Sequence, residues 1–438
     1  MKANWLPLSA AVALALGSVT ASAVDFHGYM RAGLMASTVG GDVYCAGDGT
    51  AGHKVGRLGD ECDTFAEIIL NQEVYNKANS KFTVNTRLAY GTKQADNGVD
   101  TQGNGWQSMS GGGDSTASAW DGGRLAMREF FADYQTADGY KLWAGKRYYQ
   151  RKDVHLFDIY TLDTEGYGAG IEAIDLSSTL GNLNFAVMKT RSANNGDHFR
   201  NTYNIDARWN GIKLGDLGSI DFAAIYGIPL VSDAQDKAGD NFSKNSGVLL
   251  TLDYGFNAAG LNNNLVVQYG TNGFSDVGAF GSNGTGLYTS GKHLQGVRVV
   301  DHGTYDLGSF GLGYALFWGH INYGEGAEGS WTRHDSGWEY AIAVRPEYKW
   351  TEYTRTSVEL GYSKQKEAAW DTNADDADLY KVTLAQQFTP GKGFWARPAI
   401  RFYVSYVGGD QYESKVGRAN LDDRNHQWSF GSQVEAWW

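Results

Sequence analysis

Side-chain character alternates with period two through the last eleven residues of this chain. Trp438, Ala436, Val434, Ser432, Phe430 and Trp428 fall on one face; Glu435, Gln433, Gly431 and Ser429 fall on the other, together with Trp437. Successive side chains of a strand point to opposite sides, so this segment reads as a strand with one mostly apolar and one polar face. An apolar face ending in aromatics suits the outer wall of a membrane β-barrel, and a polar face suits its lumen. A large indole among the polar groups is costly to keep unless something stacks on it. Trp437 therefore raises the question of what passes through.

The same alternation recurs upstream. Val358, Leu360 and Tyr362 oppose Glu359, Gly361 and Ser363. Tyr380, Val382, Leu384 and Phe388 oppose Lys381, Thr383, Ala385 and Gln387, with Gln386 interrupting the apolar face. Ile400, Phe402, Val404 and Tyr406 oppose Arg397, Ala399, Arg401, Tyr403 and Ser405. Each run is about as long as a tilted barrel strand, roughly 10 residues. Turns rich in Gly, Asn and Asp separate them, among them Asn194-Asn195-Gly196-Asp197 and Gly391-Lys392-Gly393. Five Pro in 438 residues is low, as long paired strands require, because Pro cannot donate to the ladder. A soluble β-sandwich also alternates, but it needs neither so many two-environment strands nor an aromatic, outward-facing end. The fold expected is all-β: a transmembrane antiparallel β-barrel forming one domain over 24–438, with long loops near 96–123, 272–293, 366–378 and 408–426.

Residues 1–23 read as an export signal. Lys2 supplies the positive start, Leu6 to Leu16 the apolar core, and Ala21-Ser22-Ala23 the cleavage site, which puts the mature start at Val24. Beyond Val24 no stretch reaches the roughly 20 apolar residues of a spanning helix. The formal charge of −12 becomes −13 once Lys2 is removed, which argues against nucleic acid or anionic lipid as the main partner. Export also places Cys45 and Cys62, the only two cysteines, in an oxidising compartment. A local disulfide is the natural reading, because two cysteines without a His-Cys cluster make poor zinc ligands.

Parity singles out further aromatics. Tyr29 shares a face with Asp25, His27 and Arg31; Phe65 shares one with Asp63, Glu67 and Asn71; Trp395 has the parity of Arg397 and Arg401 in the penultimate strand. Aromatic faces beside charged groups suit sugars: the C–H face of a pyranose stacks on a ring, while its hydroxyls pair with Arg and carboxylate. A row of weak sites also permits passage, since a solute must bind enough to enter and weakly enough to leave.

Val24-Asp25-Phe26-His27-Gly28-Tyr29 resembles the mature start of the maltoporins, the sugar-specific porins of Gram-negative outer membranes. Further similar stretches follow in order: Arg57-Leu58-Gly59-Asp60-Glu61-Cys62, Trp143 to Arg151, Asp153-Val154-His155, Asp301-His302-Gly303, Thr383 to Gln387, Arg397 to Arg401 and the closing Trp437-Trp438. The resemblance implies a homotrimer of about eighteen-stranded barrels, each with an inward-folded constriction loop, in outer-membrane lipid and lipopolysaccharide. It implies facilitated diffusion of maltose and maltodextrins, with no cofactor, no metal and no catalytic residue. Carried over by motif, an aromatic slide comprises Tyr29, Phe65, Trp120, Trp395 and Trp437. Trp120 stands in a loop implied to enter a neighbouring pore. The polar track and constriction comprise Arg31, Arg57, Glu67, Arg128, Arg151, Asp153, Asp158 and Tyr160. The family's further slide Phe, just before Val266-Val267-Gln268-Tyr269, is replaced by Leu265.

Other readings carry less. Asp371-Thr372-Asn373-Ala374-Asp375 starts like a calcium loop, but Asp376 replaces the required Gly and Val382 the terminal Glu. Gly166-Tyr167-Gly168-Ala169-Gly170 has neither the spacing nor the βαβ setting of a dinucleotide site. The nearest alternative is a porin for another sugar, such as sucrose, or a weakly selective one. A barrel lipase is the alternative of a different class, and phage docking through the loops could accompany transport. The cysteine reading is checked by thiol labelling of unreduced, denatured protein: no label is expected, and two labelled cysteines would refute the disulfide.

Overall fold

The computed structural model describes residues 24–38, 43–46, 53–61, 63–93, 124–193, 199–230, 233, 245–280, 293–322, 336–366, 376–412 and 426–438. They form an 18-stranded antiparallel sheet. The first nine strands are β1 (Asp25–Ser37), β2 (Asp63–Lys77), β3 (Ser80–Lys93), β4 (Arg124–Gln135), β5 (Lys141–Val154), β6 (Ile159–Ser177), β7 (Gly181–Ala193), β8 (Phe199–Lys213) and β9 (Ser219–Leu230). The rest are β10 (Gly247–Ala258), β11 (Leu261–Thr271), β12 (Gln295–Leu307), β13 (Phe310–Asn322), β14 (Ser336–Lys349), β15 (Thr354–Lys366), β16 (Asp376–Phe388), β17 (Ala399–Gly408) and β18 (His426–Trp437). Each strand pairs with the next in the chain, and β18 pairs with β1, so the sheet closes. Closure leaves no unpaired edge, which the bilayer demands because hydrocarbon offers no hydrogen-bond partner.

The alternation lands where the sequence put it. Trp428, Phe430 and Trp438 are exposed on the outer wall, and Ser429, Gln433 and Glu435 are buried on the inner one. Leu384, Ile400 and Phe402 likewise face out, against Lys381, Thr383 and Arg401 within. At one end of the barrel the connections are tight: Ala78-Asn79 spans β2 and β3 with φ of 53° and 62°, the left-handed pair of a type I′ turn.

Two sequence-based placements change. Trp395 and Arg397 lie in the β16–β17 connection, since β17 starts only at Ala399. Arg397-Pro398 is a cis bond, and Pro cannot donate to a ladder, so the strand begins after it. Leu265 has the outward parity of the exposed Val267 and Tyr269, while its neighbours Val266 and Gln268 face the lumen and are buried. Leu265, which stands where the family has a slide Phe, therefore has the parity of the outer wall.

Three segments fold into the barrel and meet. Residues 53–61 follow β1, the His155–Asp158 turn joins β5 to β6, and a 3₁₀ segment, Asn272–Gly278, follows β11. The His53 amide donates to the Phe157 carbonyl at 2.6 Å. The Phe157 ring meets Phe280 at 5.2 Å, and Phe280 meets Phe317 of β13 at 5.1 Å. Val55, Leu58, Phe157 and Phe274 are fully or almost fully buried. Each such side chain contributes about 1.5–3 kcal/mol.

Residues 53–61 are also held by charge. The Leu58 amide donates to Glu359 Oε1 at 2.8 Å, Glu359 pairs with Arg345 at 2.6 Å, and Lys381 donates to the Leu58 carbonyl at 3.2 Å and to the Gly56 carbonyl. Gly361 of β15 lets the segment lie flat, because a Cβ there would overlap the Val55 backbone. Gly361→Val is therefore expected to lift residues 53–61 off the wall and raise single-channel ion conductance while the strands stay paired. Unchanged conductance in a planar bilayer would show that this segment does not narrow the conducting path.

Candidate functional site

Closure of the barrel lays out two rows across three strands. In one row Trp437, Tyr29 and Glu67 are direct partners on β18, β1 and β2; in the next, Glu435, Arg31 and Phe65 are. Directly opposed residues of an antiparallel pair share a face. Rings and charges thus alternate along each of the three strands of the lumen wall. The Tyr29 and Phe65 rings lie 5.9 Å apart, and the Arg31 guanidinium stands 5.2 Å over Phe65. Trp395 is brought in by its connection: Phe394 packs against it at 4.8 Å, and His155 from the inward turn sits 4.9 Å from Trp395 and 5.7 Å from Trp437. Arg397 stacks on Trp437 at 4.3 Å.

Beneath the rings runs a buried charge network. Glu435, 1% exposed, accepts from Arg401 at 2.7 Å, from Arg397 at 2.9 Å and from the Tyr29 hydroxyl at 3.2 Å. Arg57 donates to the Tyr29 oxygen at 3.0 Å and to His155 Nδ1 at 2.9 Å, and it pairs with Glu61. Arg31 holds Asp63 through bonds of 2.6 and 2.7 Å, and it reaches Asp158 at 3.2 Å. A donor on Nδ1 requires neutral His155 with its proton on Nε2, which faces Glu435 at 3.4 Å. Burial and then the Arg57 charge push the His155 pKa well below its ordinary value. Burial alone would raise the Asp158 carboxyl, but Arg57 and Arg31 hold it well below the usual carboxylate range.

The remaining polar residues lie on β2 to β6, beginning beside Tyr29. Glu67 faces Arg87 at 3.5 Å, and Arg87 also pairs with Glu129 at 2.8 Å. Arg128 is the bulged residue of β4, where the register with β3 slips between Arg87 and Leu88. Arg151 lies between two rings, 4.2 Å from Tyr148 and 4.5 Å from Tyr160, and Asp153 is exposed to the lumen. Among the described residues the side chains of Arg151 and Asp153 make no hydrogen bond or ion pair. The sequence-derived set thus divides. Arg31, Arg57, Glu67 and Asp158 are engaged in ion pairs of the protein itself, whereas Arg151 meets the Tyr148 and Tyr160 rings and Asp153 is exposed. His155, Glu435 and Tyr148 complete the geometry and were absent from that set. Only the i, i+2 parity of Glu435 with Trp437 signalled any of them.

Trp120 and Cys62 lie outside the described residues, as do residues 1–23 and the calcium-like stretch 371–375; Cys45 is buried. His53, Glu61 and Asp158 bring ligand atoms within 4.8 Å of one another. Arg31 and Arg57 already neutralise those carboxylates, so two fixed positive charges oppose a cation there.

A closed antiparallel barrel with an apolar exterior, a charged interior and inward segments that narrow it defines a membrane-spanning pore. The chain belongs to the LamB porin family, whose model matches residues 24–438. It is 34% identical over 443 residues to the maltoporin of Hahella chejuensis (strain KCTC 2396), covering 99% of this chain and 97% of that one. It is an outer-membrane channel and not an enzyme. Solved structures similar to it include Pseudomonas aeruginosa OpdQ, with 10% identity, a TM-score of 0.48, and coverage of 95% of this chain and 99% of that one. Acinetobacter baumannii OccAB2 has 10% identity and a TM-score of 0.49, with coverage of 95% and 98%.

The two loop histidines give opposite pH signatures. Burial alone would lower the His53 pKa, but its bond to Asp60 and the Glu61 charge raise it above the ordinary value. Its contribution to stability is then complete below the unfolded pKa of about 6.5 and lost as pH rises through the folded value. His155, depressed, adds nothing at neutral pH and destabilises as pH falls below about 6.5. Thermal unfolding should therefore show His53→Gln destabilised more at pH 5.5 than at pH 9, and His155→Gln gaining on the parent as pH falls. Parallel pH profiles for the parent and both variants would refute these assignments.

Proposed function

We propose that this channel carries maltose and maltodextrins by facilitated diffusion along the aromatic row, with Arg151 and Asp153 pairing with sugar hydroxyls opposite it. The observation that carries the reading is a row of lumen aromatics in the same barrel as two charged side chains, Arg151 and Asp153, that form no side-chain hydrogen bond or ion pair among the described residues. The rings of Tyr29, Phe65, Trp395 and Trp437 meet the apolar face of successive pyranoses, and the guanidinium and carboxylate meet their rims. The buried network under the rings holds them still, so little side-chain entropy is lost when a sugar stacks. Each contact is weak, and a chain of glucose units moves by exchanging one ring for the next. The similarity to the Hahella maltoporin supports the same class of solute.

Sugar block of the ion current through purified protein in a planar bilayer tests this. Maltodextrins should block it, and longer chains at lower concentration, because they cover more of the row. Trp395→Ala and Trp437→Ala should each weaken binding by about 1 kcal/mol, roughly fivefold in half-blocking concentration, and Tyr at either position should cost less. Arg151→Ala and Asp153→Ala should weaken maltotriose block by about 1.5–3 kcal/mol if the contacts are dry and less if they are wet. Shifted reversal potential with unchanged sugar block would reduce Arg151 and Asp153 to solvated lumen charges. Block independent of chain length would overturn the sliding mechanism, and tighter block by sucrose than by maltose would reassign the sugar.

A further inference from the structure

The strand that carries Arg151 and Asp153 has no ladder partner on its outer edge. The β4–β5 ladder ends at Phe130 and Lys146, and the β6–β7 ladder ends at Tyr167 and Lys189. Beyond those pairs β5 and β6 continue as a hairpin laddered only to itself, and buried backbone groups on its flanks need other partners. Wall side chains supply them. Arg208 of β8 donates to the carbonyls of Gln150 at 2.6 Å and Tyr149 at 3.0 Å. Arg298 of β12 donates to the carbonyls of Tyr160 at 2.9 Å and Thr161 at 3.2 Å, and Gln268 of β11 to that of Thr161 at 2.7 Å.

One side chain of the hairpin ties it to the same wall by charge. Lys152 stands between Arg151 and Asp153, and its ammonium reaches Asp221 of β9 at 2.6 Å and Asp253 of β10 at 2.7 Å. Those carboxylates are themselves fixed: Asp221 accepts from the Gly211 amide at 2.6 Å, and Asp253 from Asn264 at 2.9 Å. We infer that Lys152 is a positioning residue, whose two carboxylate bonds hold Arg151 and Asp153 at the constriction in the geometry that meets sugar. The inference rests on the sugar-channel reading for its effect on block, but the clamp itself does not.

A double-mutant cycle on maltotriose block tests it, using full-length protein in a planar bilayer. Arg151→Ala alone should raise the half-blocking concentration about tenfold, as should Lys152→Met alone. If Lys152 acts through its neighbours, Arg151→Ala added to Lys152→Met should cost less than about twofold more. Lys152→Arg, which can still bind both carboxylates, should restore block. Because Lys152→Met strands two carboxylates, Lys152→Met/Asp221→Asn/Asp253→Asn serves in its place should the single variant fail to fold. Effects that multiply to about a hundredfold would overturn the inference, as would failure of Lys152→Met to alter block. Should the parent show no sugar block, the sugar reading fails alone, and open-channel current noise then decides the clamp. A rise in noise in Lys152→Met supports it, and unchanged noise overturns it.

Discussion

Closure of the hydrogen-bonded ladder between β18 and β1 is the constraint on which the rest of this structure depends. A sheet edge left open in hydrocarbon would strand a row of N–H and C=O groups, each costing several kcal/mol. Joining the two ends of the chain removes that edge. It also brings Trp437 opposite Tyr29 and Glu435 opposite Arg31, residues separated by almost the whole sequence. The register that satisfies the backbone therefore assembles the rows of rings and charges lining the pore.

The rows are rigid because the charge beneath them is balanced locally. Glu435 is surrounded by Arg401, Arg397, Arg57 and the Tyr29 hydroxyl. Removing one partner from such a buried set leaves an uncompensated charge, typically a loss of about 3–5 kcal/mol. Arg31, Arg57 and Asp158 belong to that structural set, and their chemistry is spent on one another. Arg151 and Asp153 differ: the hairpin that carries them lies beyond the wall ladders, Arg151 rests between the Tyr148 and Tyr160 rings, and neither side chain makes a hydrogen bond or ion pair among the described residues.

The outer and inner faces were legible in the sequence because a strand has a side-chain period of two and the barrel separates two solvents. Most of β18 follows that rule, and the register of β18, β1 and β2 puts Tyr29, Phe65 and Trp437 on the face that the same parity gave them. Trp395 was legible as a lumen aromatic but not as part of a turn, since Arg397-Pro398 ends the alternation without announcing where the ladder resumes. Leu265 was misjudged because alignment by motif carries no parity: one residue of offset turns a side chain from water to lipid.

What the sequence determined alone was therefore local and periodic: strand character and two faces, with aromatics set among charged groups on one of them. What only the tertiary structure decided was which of those residues are free. His155 between Trp395 and Trp437, Glu435 under four donors, and Lys152 bridging Asp221 and Asp253 are contacts between distant segments, made when loops fold into a lumen that exists only after closure. Periodicity reports the solvent a side chain faces, but hydrogen-bond capacity is consumed pairwise in space. A charge that looks available in the chain can thus be fully engaged in the fold.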